Sequence, residues 1–291
     1  MAMISRDRLA ADLRALGLRH GDVVMTHASV RAVGDVAGGP DQIHLAIKDA
    51  ITPDGTLIMY ASCPRYVDEV GRGNLTPAQE ADVLGMLPAF DPATARSARD
   101  NGTLVEFFRT WPGSQVNPHP ARLVAWGAAA GRVFSSQPWD FAFGAGSPLE
   151  RFVELDGKIL LLAPDHDAVT FLHYVEHVAD LPDKRVARFR VPVLENGVRV
   201  WREMKEYDTS AQGAHANWPD RFFARIVDTY LAGTRNGGGL VGDAPSHLLS
   251  ARGLLDFARP VMEAVARDRR AADRLVPAPG QSASDWRRTS R

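Results

Sequence analysis

A single large α/β domain, with a central mixed sheet flanked by helices, is the fold class this sequence predicts, and three observations predict it. Over residues 6–61, helical and strand patterns alternate in the order α-β-α-β. Gly157-Lys158-Ile159-Leu160-Leu161-Leu162 is a nearly continuous apolar run, the pattern of a strand covered on both faces. Residues 186–193 and 198–204 alternate around Glu195-Asn196-Gly197, and Asn-Gly supplies the two positive-φ positions of a tight hairpin.

The elements follow in order. Apolar residues recur at three and four over 6–16, predicting an amphipathic helix that stops at Gly17, with Gly21-Asp22 turning into a strand over 23–27. Pro40-Asp41 opens a second helix through Ile51, and Pro53-Asp54-Gly55 turns into a strand over 56–61. Residues 64–120 are rich in Gly, Pro and Asp, with helical patches at 77–87 and 103–109; so long an irregular connection belongs more often to function than to idle surface. A short helix after Ser147-Pro148, the 157–162 strand and a helix carrying 170–180 come next, then the hairpin, a helix at 220–231 and one or two more over 248–269. With no internal repeat and no linker, residues 1–269 read as one catalytic domain and 270–291 as a disordered or loosely docked tail.

Composition excludes several classes. Of the 291 residues, 34 are basic and 35 acidic, evenly interspersed, so no sustained field favours nucleic acid or an anionic membrane. No apolar run approaches the roughly 20 residues of a membrane helix and the N-terminus lacks a signal-peptide core, so a cytoplasmic location is expected. Cys63 is the single cysteine, which excludes an internal disulfide framework and a cysteine-cluster zinc site.

The most reactive stretch is Thr170-Phe-Leu-His-Tyr-Val-Glu-His-Val-Ala-Asp180. On a helix, His173, Glu176 and His177 share one side. Spacing leaves three readings open. The histidines and Glu176 are hydrogen-bonded helix residues, Glu176 pairing with Lys184 or Arg185; or His173 is a general base; or His173 and His177 bind zinc while Glu176 activates a water, as in a zinc-dependent hydrolase. Elsewhere, His27-Ala-Ser-Val-Arg-Ala-Val-Gly34 places Ser29, Arg31 and backbone amides just after a strand, where α/β sheets receive ligands. Glu203, Glu206 and Asp208 after the hairpin, with Asp68 and Glu69 in the irregular section, suit a polycationic ligand.

Taken in order, these segments resemble the aminoglycoside 3-N-acetyltransferase family, over roughly residues 6–266. The matching pieces are His27 to Gly34, Gly38-Gly39-Pro40, Pro53-Asp-Gly-Thr-Leu57, Phe90-Asp91-Pro92, Asp100-Asn-Gly-Thr-Leu104 with Phe107-Phe-Arg109, and Gly146-Ser147-Pro148. They continue with Asp167-Ala-Val-Thr170, Leu172-His173 with Glu176, Lys184-Arg185, and Trp201-Arg202 leading to Glu206-Tyr207-Asp208-Thr209. Each motif is weak alone; their shared order is specific. The chain departs from the family at Val116-Asn-Pro-His-Pro120, which keeps His119 but not the Arg-Ser pair found there in relatives, and most of all over 65–88.

The resemblance implies the antibiotic N-acetyltransferase fold and transfer of an acetyl group from acetyl-coenzyme A, without metal, to the 3-amino group of a 2-deoxystreptamine antibiotic, or to a non-antibiotic amine in a differently specialised relative. It implies His173 as the base, with Asp208 or Glu206 as its orienting carboxylate ahead of Glu176. Ser29, Val30, Arg31, Thr103 and His119 are the implied coenzyme contacts. Asp68, Glu69, Thr170, Glu206 and Asp208 are the implied contacts to the drug. His177 loses its claim as a ligand in this reading.

Overall fold

The computed structural model describes residues 3–63, 75–208, 215–234 and 238–276. The chain opens with helix α1 (Arg6–Ala15), capped by Ser5, whose side chain accepts from the Arg8 amide, and closed before Gly17 at φ 109°. Strand β1 (Val23–Ala28), the one-turn helix α2 (Val30–Val33), α3 (Asp41–Ile51) and β2 (Thr56–Tyr60) complete the predicted α-β-α-β start. Then come α4 (Pro77–Met86), α5 (Thr103–Arg109), β3 (Gln115–Val116), β4 (Leu123–Gly127), α6 (Ala130–Val133), α7 (Pro148–Glu154) and β5 (Lys158–Leu162). The reactive stretch forms α8 (Phe171–Val178), followed by the hairpin β6 (Val186–Glu195) and β7 (Val198–Tyr207), α9 (Phe222–Gly233), β8 (Gly239–Val241), β9 (Ala244–Ser250) and α10 (Ala251–Arg267).

The central sheet has the strand order β3-β4-β2-β1-β5-β9-β8. Strands β2, β1 and β5 are parallel, and both flanks are antiparallel, so the expected mixed sheet is present. Alternation along the strands sorts their side chains to two faces. Met25, Ile58, Ile159 and Leu161 meet α7, α8, α9 and α10 on one face; Val24, Leu57, Leu160 and Leu162 meet α1, α3 and α5 on the other. The hairpin stands apart as a two-stranded sheet over a small cluster of Cys63, Phe90, Val191, Val193 and Met204. Its turn places Asn196 at φ 50° and Gly197 at φ 78°, as Asn-Gly predicts.

Two expectations are corrected. Residues 248–250 belong to β9, not to a helix, and the helix begins at Ala251; the apolar Leu248-Leu249 pair reads equally as strand or helix, and pairing with β5 decides it. The antiparallel strand β4 carries no turn dipeptide that would announce it, whereas β8 and β9 are joined by Gly242-Asp243, a two-residue hairpin turn with Gly242 at φ 60° that the sequence reading passed over. Residues 270–276 are not a loose tail: a 3-10 turn over Arg269–Arg274 buries Ala272 and Leu275, and Arg225 donates to the Ala272 and Val276 carbonyls at 3.0 and 3.2 Å. The rest of the tail lies outside the described residues. Among the described residues no helix is long and apolar enough to cross a membrane.

Candidate active site

The parallel strands end together, and a cavity of about 350 Å³ opens beyond the carboxyl ends of β1 and β2, the usual ligand position of such sheets. Thr26, His27, Ala28 and Ser29 form one wall, Met59 and Tyr60 another, and His173 and Thr170 look in from α8 and its start. Helix α8 packs on the sheet through Leu172 and Val175, both fully buried, so the adjacent His173 lies at the helix flank with 35% of its side chain exposed. Phe143 stacks on its imidazole (centroids 5.2 Å, 29° between planes) and Phe223 meets it edge-on at 5.1 Å.

Glu176, one helical turn on, places Oε2 3.0 Å from His173 Nδ1. Its side chain is only 1% exposed, and its other oxygen meets His215 Nε2 in a very short contact. Burial alone would push this carboxyl up, but hydrogen bonds from His173 and His215 outweigh burial and hold it at about 2. An ionised carboxylate only accepts, so His173 donates from Nδ1, and in the neutral imidazole Nε2 is then the acceptor nitrogen. The result is a His-Glu-His chain in which the middle carboxylate fixes the tautomer of the exposed imidazole.

Residues 25–263 match the family model described as aminoglycoside 3-N-acetyltransferase. The chain belongs to the aminoglycoside 3-N-acetyltransferase family. Among its relatives, aminoglycoside N(3)-acetyltransferase III of Pseudomonas aeruginosa is 41% identical over 252 residues, 84% of this chain and 88% of the relative. Aminoglycoside N(3)-acetyltransferase VII of Streptomyces paromomycinus is 38% identical over 271 residues, covering 89% and 92%. The solved structure of AAC-IIIb in a binary complex with CoASH superposes with a TM-score of 0.81 at 39% identity, over 96% of this chain and 100% of that one. Sisomicin-bound AAC-VIa gives a TM-score of 0.82 at 36% identity, covering 90% and 99%.

Within this acetyltransferase, the predicted site residues separate into those that reach the cavity and those that do not. His173, Thr170 and Ser29 line it. Ser29 also caps α2, its hydroxyl accepting from the Ala32 amide at 3.3 Å, while Arg31 is exposed on that helix and Val30 is half-buried; neither lines the cavity. Thr103 is exposed at the first turn of α5, next to the cavity-lining Gly102 and Leu104. His119 does not face the cavity. It is fully buried, Nδ1 accepting from the Ala121 amide at 3.0 Å and Nε2 lying 3.3 Å from the Trp139 carbonyl; burial drives its pKa to about 4, so it holds a turn. Asp68 and Glu69 lie outside the described residues.

The orienting carboxylate is the other correction. Glu206 reaches His177 instead: its Oε1 is 2.5 Å from His177 Nε2, and it also accepts from the Tyr207 and Ala142 amides at 2.9 Å each. Asp208 sits 3.9 Å from Arg185. The ranking fails because i,i+3 spacing brings Glu176 to His173 without any tertiary requirement, while the hairpin delivers Glu206 one turn further along α8. Both ring nitrogens of His177 are engaged, Nδ1 with the His173 carbonyl at 2.7 Å, so the zinc reading has no second histidine ligand. Lys184 donates to the His177 carbonyl at 2.8 Å, closing the carboxyl end of α8 rather than pairing with Glu176.

Sequence reasoning missed four groups. His215 has no local signature and is brought to Glu176 only by the fold. His27 lines the cavity, and its Nε2 is buried without a hydrogen-bond partner among the described residues; burial lowers its pKa to about 4, leaving a neutral imidazole. Asp100 and Asp167 supply carboxylates to the same cavity. Cys63 is buried, its thiol pushed up by desolvation and directed to the Arg96 carbonyl at 3.2 Å, a packing role.

Proposed function

We propose that the chain acetylates the 3-amino group of a 2-deoxystreptamine aminoglycoside with acetyl-coenzyme A, and that His173 Nε2 is the general base. The carrying observation is the His173 Nδ1–Glu176 hydrogen bond of 3.0 Å in an imidazole that borders the cavity. It leaves an unprotonated nitrogen on the cavity side and a buried negative charge behind it to stabilise the imidazolium that forms. His215 holds the second Glu176 oxygen and so prevents the carboxylate from rotating away.

In the proposed reaction, the amine lone pair attacks the thioester carbonyl carbon and the N–C bond forms. His173 takes the proton from the attacking nitrogen. The C–S bond then breaks on collapse of the tetrahedral intermediate, and the imidazolium returns the proton to the coenzyme thiolate, releasing amide and thiol. Ser29 at the end of β1 and the orphaned His27 Nε2 are the polar groups proposed to meet the thioester end of the coenzyme. Asp100 and Asp167 are proposed to receive ammonium groups of the drug, and Thr170 its hydroxyls. Relatives support this pairing of substrates: one solved neighbour carries CoASH and another sisomicin.

The test follows thiol release from acetyl-coenzyme A with gentamicin-like and neomycin-like drugs. Turnover by the wild type, with product mass increased by one acetyl group at the 3-amine, is expected. His173→Ala should lower kcat by about two orders of magnitude. Absence of thiol release across the panel removes the drug-acetylation reading; near-normal turnover by His173→Ala removes the base.

A further inference from the structure

A second cavity, of about 540 Å³, lies beside the amino end of β2 and shares no lining residue with the first, which lies at that strand's carboxyl end. It is open to the surface and bordered by helices α1 and α3, the turn after α5 and the end of β4. Its chemistry centres on Lys48, which is 6% exposed. The Lys48 Nζ is buried and has no hydrogen-bond acceptor among the described residues. It lies 4.7 Å from the Trp126 ring centroid, 5.0 Å from Phe108 and 5.7 Å from Trp111. Ring faces stabilise an ammonium electrostatically but leave its N–H donors without an oxygen, and an almost fully buried lysine without a carboxylate partner is rare.

The one carboxylate lining the cavity does not serve Lys48. Asp49 is gripped by Arg6, whose Nε and Nη2 each reach a carboxylate oxygen at 2.5 Å, and its carbonyl accepts from Arg14 at 2.8 Å. Three cations therefore face one already-paired anion across walls that include two indoles. Burial first, and then the Arg6 charge, pushes the Lys48 ammonium down to about 8. A ligand that completes the site needs anionic oxygens for Lys48 and the arginine rim, and a flat apolar body for Trp111 and Trp126.

We infer that this cavity is a second ligand site for a small aromatic anion, an aryl phosphate or aryl carboxylate, whose oxygens draw the buried Lys48 Nζ outward from among the rings to donate to them while its ring packs on Trp111 and Trp126. Nothing in the acetyl-transfer chemistry uses these residues, so the site is separable from catalysis.

Phenyl phosphate is the probe, titrated calorimetrically into the full chain saturated with acetyl-coenzyme A so that the catalytic cavity is filled. Saturable binding is expected, weakened about tenfold or more by Lys48→Met, which keeps the stem and removes the charge. Trp111→Leu, at a half-exposed wall, should weaken it severalfold and guards against a folding defect in the first variant. Both variants should retain kcat for acetyl transfer within about twofold. No saturable binding at about 10 mM probe, or equal affinity in Lys48→Met, overturns the site. Benzylamine binding as well as phenyl phosphate overturns its charge selectivity, and inorganic phosphate binding equally well overturns the aromatic part. In a parallel titration of the coenzyme-free chain, probe binding that is then lost as acetyl-coenzyme A is added assigns the cavity to the coenzyme and overturns its independence.

Discussion

Replacing Glu176 by Gln isolates the charge behind His173 with almost no change of volume. In the native chain both carboxylate oxygens accept, from His173 Nδ1 and His215 Nε2. A glutamine has one acceptor and one donor group, so one histidine must lose its partner or switch tautomer; if His173 switches, its Nε2 carries a proton and cannot take another. The charge itself sits with Oε2 3.0 Å from Nδ1. Centres of charge about 4 Å apart at an effective dielectric of about 20 interact by about 4 kcal/mol. A proton about half transferred in the transition state uses about half of that, so the expected loss is about 2–4 kcal/mol, or about 30- to 1,000-fold in kcat. Glu176 does not line the cavity, so KM for the drug should stay within about threefold. The assay is thiol release with saturating acetyl-coenzyme A and a gentamicin-like drug, at a temperature below the variant's unfolding transition. A kcat within threefold of wild type would refute the argument that this carboxylate orients and stabilises the base.

Two further outcomes are expected. Glu206→Ala strips partners from His177 Nε2 and from the Ala142 and Tyr207 amides, so it should destabilise by at least about 2 kcal/mol in chemical denaturation while kcat, measured on the folded protein, falls less than about fivefold. Unchanged stability with a kcat loss as deep as that of Glu176→Gln would return the orienting role to Glu206. Acid should destabilise the chain well above the carboxylate range, because burial lowers His44 and His119 to about 4 while the unfolded chain protonates them near the ordinary 6.5. Their stabilising contribution is therefore complete above about pH 6.5 and is lost progressively as pH falls to about 4, at up to about 1.4 kcal/mol per pH unit for each. Glu176 adds a lower window, full above about 4.5 and lost towards 2. His119→Asn should flatten the stability slope between pH 6 and 4.5 by about one proton, and an unaltered slope would contradict the assignment.

Much of the fold was readable along the chain because its signals are local. The end of α1 follows from Gly17, α3 from Pro40-Asp41, and the hairpin from Asn196-Gly197. The buried run at 158–162 announced a strand covered on both faces, and Ile159 and Leu161 enter one core layer while Leu160 and Leu162 enter the other. What local signals leave open is register: Leu248-Leu249 is apolar in either conformation, and pairing with Ile159 and Leu160 makes it strand. Residues 270–276 look solvent-loving by composition, yet Ala272 and Leu275 are enough to dock them once Arg225 offers its donors.

The sequence by itself determined that His173 and Glu176 share a helix face and that the segment belongs to an acetyltransferase-like order of motifs. Those are properties of spacing, and spacing survives without a fold. Only the tertiary structure decided which carboxylate serves which histidine. Glu176 takes His173 and His215, and Glu206 takes His177, because hydrogen bonds and their electrostatic weight depend on a few tenths of an ångström and on exclusion of water. The same holds for Lys48: an ordinary lysine in the helical pattern of α3, it becomes a buried ammonium among three aromatic rings only when α5 and β4 close over it.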